Sequence, residues 1–89
     1  MAVLMVPSSL RRYTDHQSRI TLPVNSIEEA LNRFSENSCE LRNHLFLGQS
    51  LRKFIVVCKN GQDIRLLNGL QTPVSDADEV QIIASVAGG

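Results

Sequence analysis

Over residues 25–37, "NSIEEALNRFSEN", the hydrophobic period is that of a helix, while the apolar segments before and after it have strand length or alternate. Ser26 with Glu29 three residues on is a capping-box signature, and Ile27, Ala30, Leu31 and Phe34 then make one apolar stripe. One helix between two strand pairs cannot be a βαβ repeat. It requires an α+β domain in which a single mixed sheet covers that helix.

The strand pairs can be placed. "AVLMV" at residues 2–6, closed by Pro7, pairs through a polar connection with an alternating stretch over residues 18–23. "FIVVCKNGQDIRLL" is a second hairpin, its turn at Asn60-Gly61, where both residues tolerate positive φ. A final strand begins at Val80. Between them, "SCELRNHLFLGQSLRK" leaves two readings open, in which Leu41, Leu45 and Leu51 either dock a short helix near 40–46 or pin a long loop.

This order predicts the ubiquitin-like β-grasp architecture, a mixed sheet of about five strands packed on one main helix. First and last strands become neighbours in the sheet centre. Val80, Ile82 and Ala84 then face the helix, while Gln81, Ile83 and Ser85 face away. Residues 1–85 read as one domain and residues 86–89 as a flexible tail ending in Gly-Gly.

Composition narrows the function classes. Nine acidic residues balance nine basic ones, without the basic excess expected of a nucleic-acid binder. No apolar run approaches the roughly 18 residues of a membrane span, and "MAVLMVP" lacks a basic n-region, which predicts a cytoplasmic protein. Cys39 and Cys58 are too far apart for a CxxC motif and are expected to be reduced and structural, with Cys58 in the core.

The sequence offers little catalytic equipment. His16 and His44 stand without a nearby Cys or carboxylate suited to a triad or metal site, and are expected on the surface. Asp76, Asp78 and Glu79 lack EF-hand spacing and read as a solvated turn. No Gly-rich phosphate loop is present, so no cofactor or metal is expected to bind stably.

The remaining feature is "ASVAGG". Two successive glycines arise by chance roughly once in 200 such dipeptides. A terminal carboxylate used as a substrate must enter an enzyme cleft, and side chains at Gly88 and Gly89 would obstruct it. Val86, Ala87, Gly88 and Gly89 extend about 3.3 Å each, enough to reach away from the globule.

With "VPSSLRRYT", "FIVVCKNGQDIRLLNGL", "TPVSDADEV" and "VAGG", the chain resembles the MoaD/ThiS family of ubiquitin-like sulfur carriers, most nearly its CysO-like branch. The resemblance implies that an ATP-dependent partner enzyme adenylates the Gly89 carboxylate. A sulfur donor then converts it to a thiocarboxylate, which a downstream biosynthetic enzyme consumes.

On that basis the chain is a protein-bound sulfur donor rather than an enzyme, with cysteine biosynthesis favoured and molybdopterin biosynthesis next. ATP belongs to the partner. A ubiquitin-like modifier joined to lysine through Gly89, and a non-covalent β-grasp interaction domain, are the alternatives. Ile83 with Leu66 or Leu67 across the hairpin would form a partner patch, joined by Arg11 and, as further polar contacts, Arg12, Lys59 and Arg65. The family pattern has Gly where this chain has Ala77, so the acidic turn either avoids positive φ or carries strain.

Overall fold

The helix-period segment folds as α1 (Ile27–Ser35), and Ser26 caps it, its Oγ accepting the Glu29 N–H at 3.1 Å. Glu29 completes the exchange one residue early, its Oε1 accepting the Asn25 N–H at 3.2 Å. Ile27, Ala30, Leu31 and Phe34 are all buried, so the stripe is the face that meets the sheet. This structure is a computed structural model, described over residues 1–84.

In chain order the strands are β1 (Ala2–Met5), β2 (Arg19–Leu22), β3 (Phe46–Leu47), β4 (Ser50–Leu51), β5 (Ile55–Lys59), β6 (Gln62–Asp63) and β7 (Glu79–Ala84). Five form one sheet in the order β2-β1-β7-β5-β6. β1 runs antiparallel to β2 and parallel to β7, whereas β5 is antiparallel to both β7 and β6. The architecture is the ubiquitin-like β-grasp, with first and last strands adjacent at the centre.

Period-2 burial fixes the register. Ala2 and Leu4 of β1, Ile55 and Val57 of β5, and Val80 and Ile82 of β7 are buried against α1 and its neighbours. Ala84 is packed more loosely at the same core.

The ambiguous segment resolves as a helix, α2 (Cys39–Leu45), because Ser38 Oγ caps it through the Leu41 N–H at 3.1 Å. Leu41 and Leu45 are fully buried, and the chain then reverses in a small hairpin, β3 with β4, which Leu51 pins to the core.

The Asn60-Gly61 turn has φ of 50° and 86°, the double positive that a two-residue hairpin turn of type I′ requires. The strand beyond it is shorter than the alternation implied. After Asp63, whose Oδ1 accepts the Arg65 N–H at 2.9 Å, the chain enters a 3-10 helix at Ile64–Leu66 that buries Ile64.

The acidic turn is built into the sheet's end rather than merely solvated. Asp78 accepts the Ser75 N–H at 2.8 Å and the Asn60 side-chain amide at 3.0 Å, while Asn60 Oδ1 accepts the Glu79 N–H at 2.8 Å. Lys59 lies 3.7 Å from the same carboxylate, and Asp76 pairs with the Met1 amino group at 2.7 Å. The Asn60 turn and the residues leading into β7 are therefore locked together.

Ala77 has φ 72°, so of the two alternatives the strained one holds, at a cost of about 1–2 kcal/mol for an L-residue. Ala77→Gly should raise stability by about 0.5–1 kcal/mol, after allowing for the greater chain entropy of glycine; thermal unfolding checks it.

Backbone and side-chain hydrogen bonds, from Ser75 first and Asn60 second, hold the Asp78 carboxyl below the usual carboxylate range, helped by Lys59. A depressed folded-state pKa stabilises above the ordinary value of 3.8, and that stability is lost as pH falls through the folded value. Asp78→Asn should therefore unfold earlier than the parent at neutral pH. In urea titrations the two should converge as pH drops below that range.

Candidate functional site

The site begins with what β7 leaves on the sheet's other side. Cross-strand pairing sets Arg19, Met5, Gln81, Cys58 and Asp63 in one row across all five strands of the sheet. Val3 lies in a neighbouring row beside Glu79, and Val56 is opposite Ile83. Val3, Met5, Val56 and Cys58 are half-buried and Ile83 is 41% exposed, so this face carries an apolar strip where a merely solvated sheet would be polar.

Cys58 is on this outer face, half-buried, and not in the core as expected. The apolar run "FIVVC" gave no phase, but pairing does, because Val57 takes the inward position and period 2 sends Cys58 outward. Cys39 is exposed at the start of α2, and both thiols are free.

At the end of β7, Ile83 and Ala84 line a cleft with Met5, Pro7 and Arg11. The 3-10 helix Ser8–Tyr13 carries Arg11 there, and Arg11 Nε donates to the Val6 carbonyl at 3.1 Å, which ties the guanidinium's stem to the end of β1. A cation and an exposed isoleucine thus flank the point from which the chain continues. Gly89, with Val86, Ala87 and Gly88, lies outside the described residues, as does Ser85.

Leu66 and Leu67 belong elsewhere. Leu66 is 82% exposed, and the two line a separate cleft with Lys59, Gln62 and Pro73, because β6 ends after two residues and the 3-10 helix carries them away from the strand. The structure brings Arg11 to Ile83 and does not bring Leu66 or Leu67 into their cleft.

The other expected contact cations, Arg12, Lys59 and Arg65, are engaged. Arg65 clasps Asp63 through Nε and Nη2 and holds that carboxyl below the usual range, chiefly by these side-chain bonds. Arg12 bonds Tyr13 Oη at 2.8 Å and Glu40 at 3.1 Å. Lys59 faces Asp78. His16 is exposed, His44 packs near Tyr13 with ring centres 5.9 Å apart, and no group of three His, Cys, Asp or Glu side chains suited to a metal occurs among the described residues. Among those residues no helix is long and apolar enough to cross a membrane.

The geometry has relatives. A family model described as the ThiS family matches residues 4–89. The chain is 28% identical over 87 residues to the sulfur carrier protein CysO of Mycobacterium tuberculosis, covering 94% of both. A chain in the crystal structure of the Amycolatopsis orientalis BexX/CysO complex superposes with a TM-score of 0.89 at 26% identity, covering 100% of both chains. The solution structure of small archaeal modifier protein 1 from Methanosarcina acetivorans is similar at a TM-score of 0.84 and 25% identity, covering 99% of this chain and 95% of that one.

The two faces of β7 make a paired prediction. Ile82→Ala should cost about 2–5 kcal/mol because it leaves a core cavity, whereas Ile83→Ala should cost about 1 kcal/mol or less. Denaturant midpoints of the two variants check the assignment.

Proposed function

Because the chain belongs to the ThiS family, we propose that it is a sulfur carrier whose Gly89 cycles between carboxylate and thiocarboxylate. The observation that carries this reading is where β7 delivers the chain. Its last described residue, Ala84, stands at the edge of the Arg11–Ile83 cleft, and the family match continues from there through residue 89. Relatives bearing the name sulfur carrier protein match 94% of this chain.

The chemistry balances with a partner that supplies ATP. A Gly89 carboxylate oxygen attacks the α-phosphorus and pyrophosphate leaves, giving an acyl-adenylate. Sulfide-level sulfur, delivered as hydrosulfide, then adds to the acyl carbon and AMP departs, leaving the thiocarboxylate and a released proton with no change of oxidation state. That group is anionic at neutral pH and nucleophilic, for the reason thiolates are. Glycines at 88 and 89 leave no Cβ to obstruct either attack.

This chain's own contribution is docking. Ile83 supplies exposed apolar area and Arg11 a cation beside it, next to the tail's origin, so one contact can orient the body while the tail enters the partner's cleft. The BexX/CysO complex supports a separate protein as the docking partner. Cysteine biosynthesis is the favoured pathway, from the CysO relatives, with molybdopterin biosynthesis next; the setting is the cytoplasm, and ATP is bound by the partner. Likeness to an archaeal modifier protein keeps lysine conjugation through Gly89 as the second reading.

Pyrophosphate exchange into ATP, measured with the cognate activating enzyme, tests the first step. Deleting Gly89 should abolish exchange, and Gly88→Val should lower it by about tenfold or more. Ile83→Asp should raise the enzyme's KM for the carrier about tenfold with kcat little changed, as for an interaction made equally in ground and transition states. Full exchange by the Gly89 deletion would end this reading.

A further inference from the structure

A third cleft, of about 340 Å³, lies away from the Arg11–Ile83 cleft, between β4, the turn entering β5 and the 3-10 helix Gly69–Gln71. Buried Ile55 and Ile64 and half-buried Leu51 and Leu70 give it an apolar lining. Arg52, Lys53 and Arg65 contribute three cations to its wall against one anion, Asp63, in a chain whose charges balance nine to nine overall. The Arg65–Asp63 pair is internally neutralised, so Arg52 and Lys53 carry the excess.

Arg52 is oriented by donating Nε to the Asn43 carbonyl, whereas Lys53 is exposed and makes no side-chain hydrogen bond or ion pair among the described residues. An exposed leucine also stands on the hairpin that supplies part of the cleft wall. Leu47, 68% exposed, is paired across the β3–β4 hairpin with Ser50, a residue of the cleft wall.

We infer that this cleft and hairpin form a docking site for a linear peptide segment of a partner protein, one that carries aliphatic anchors flanked by carboxylates. The cleft is at the small end of ligand sites, which run to roughly 300–1,000 Å³, so it suits an aliphatic side chain rather than a large cofactor. Leu47, on the hairpin that supplies Ser50 to the wall, offers an occupant longer than one side chain a second apolar contact. The excess of Arg52 and Lys53 complements acidic flanks and disfavours basic ones. This site shares none of the residues assigned to tail activation, so it can be occupied while the tail is engaged.

The test is a titration of the isotopically labelled full chain, followed by amide chemical shifts, with a capped hexapeptide of two central leucines between pairs of glutamates. Saturable shifts at Leu47, Leu51, Ile55 and Leu70 are expected, with Kd on the order of 0.1–1 mM for so small a contact. Lys53→Glu should weaken binding about tenfold, and added salt should weaken it further. The variant's own spectrum, unchanged away from residue 53, verifies its fold.

A peptide with serines for the leucines should not bind. Shifts that fail to saturate, equal binding of a lysine-flanked peptide, or binding that appears only after residues 85–89 are removed would overturn the inference. The last result would mean that the chain's own tail, rather than a partner, fills the cleft.

Discussion

The parallel pairing of β1 with β7 organises this molecule. It sets the two strands that are farthest apart in sequence side by side, Leu4 beside Val80 and Met5 beside Gln81, and makes β7 a central strand with β5 on its other flank. β7 is paired with β1 over Glu79–Gln81 and with β5 over Val80–Ala84, and has one face in the core, so its direction and phase are tightly specified. From that follow two functional consequences. Ile83 must face away from α1, and Ala84, the last described residue, must stand beside the loop that follows β1.

The opposite end of β7 is held by polar chemistry instead. Asn60 donates its side-chain amide to Asp78 and accepts the Glu79 N–H, bridging the gap between the β5–β6 turn and the residues that open β7, while Asp76 gathers the start of β1. Strain at Ala77 is tolerated because these bonds over-determine the turn. One end of the strand is thus fastened by a network, and the other end leaves Ile83 exposed beside Arg11. In the sulfur-carrier reading this division lets the body stay rigid while chemistry occurs at Gly89.

Elements whose local chemistry is self-sufficient were legible in the sequence. The Ser26 cap, the stripe through Phe34 and the double positive φ at Asn60-Gly61 depend on nearby residues alone, and so does the alternation that turned Ile83 outward. What depended on pairing was not legible. "FIVVC" has no alternation to show which way Cys58 points, and only its partners Gln81 and Asp63 decide it. The early end of β6 reflects Ile64 turning inward, a tertiary demand that moved Leu66 and Leu67 out of the expected patch. The link between Asn60 and Asp78 spans 18 residues and has no sequence signature.

Sulfur carriage at Gly89 is tested most directly by the intact mass of the chain after incubation with its activating enzyme, ATP and a sulfur donor. A sulfur carrier gains the difference between one sulfur and one oxygen atom, and fragmentation places that gain on Gly89. An unchanged mass accompanied by amide-linked adducts on lysines of other proteins would contradict the claim and make the chain a modifier.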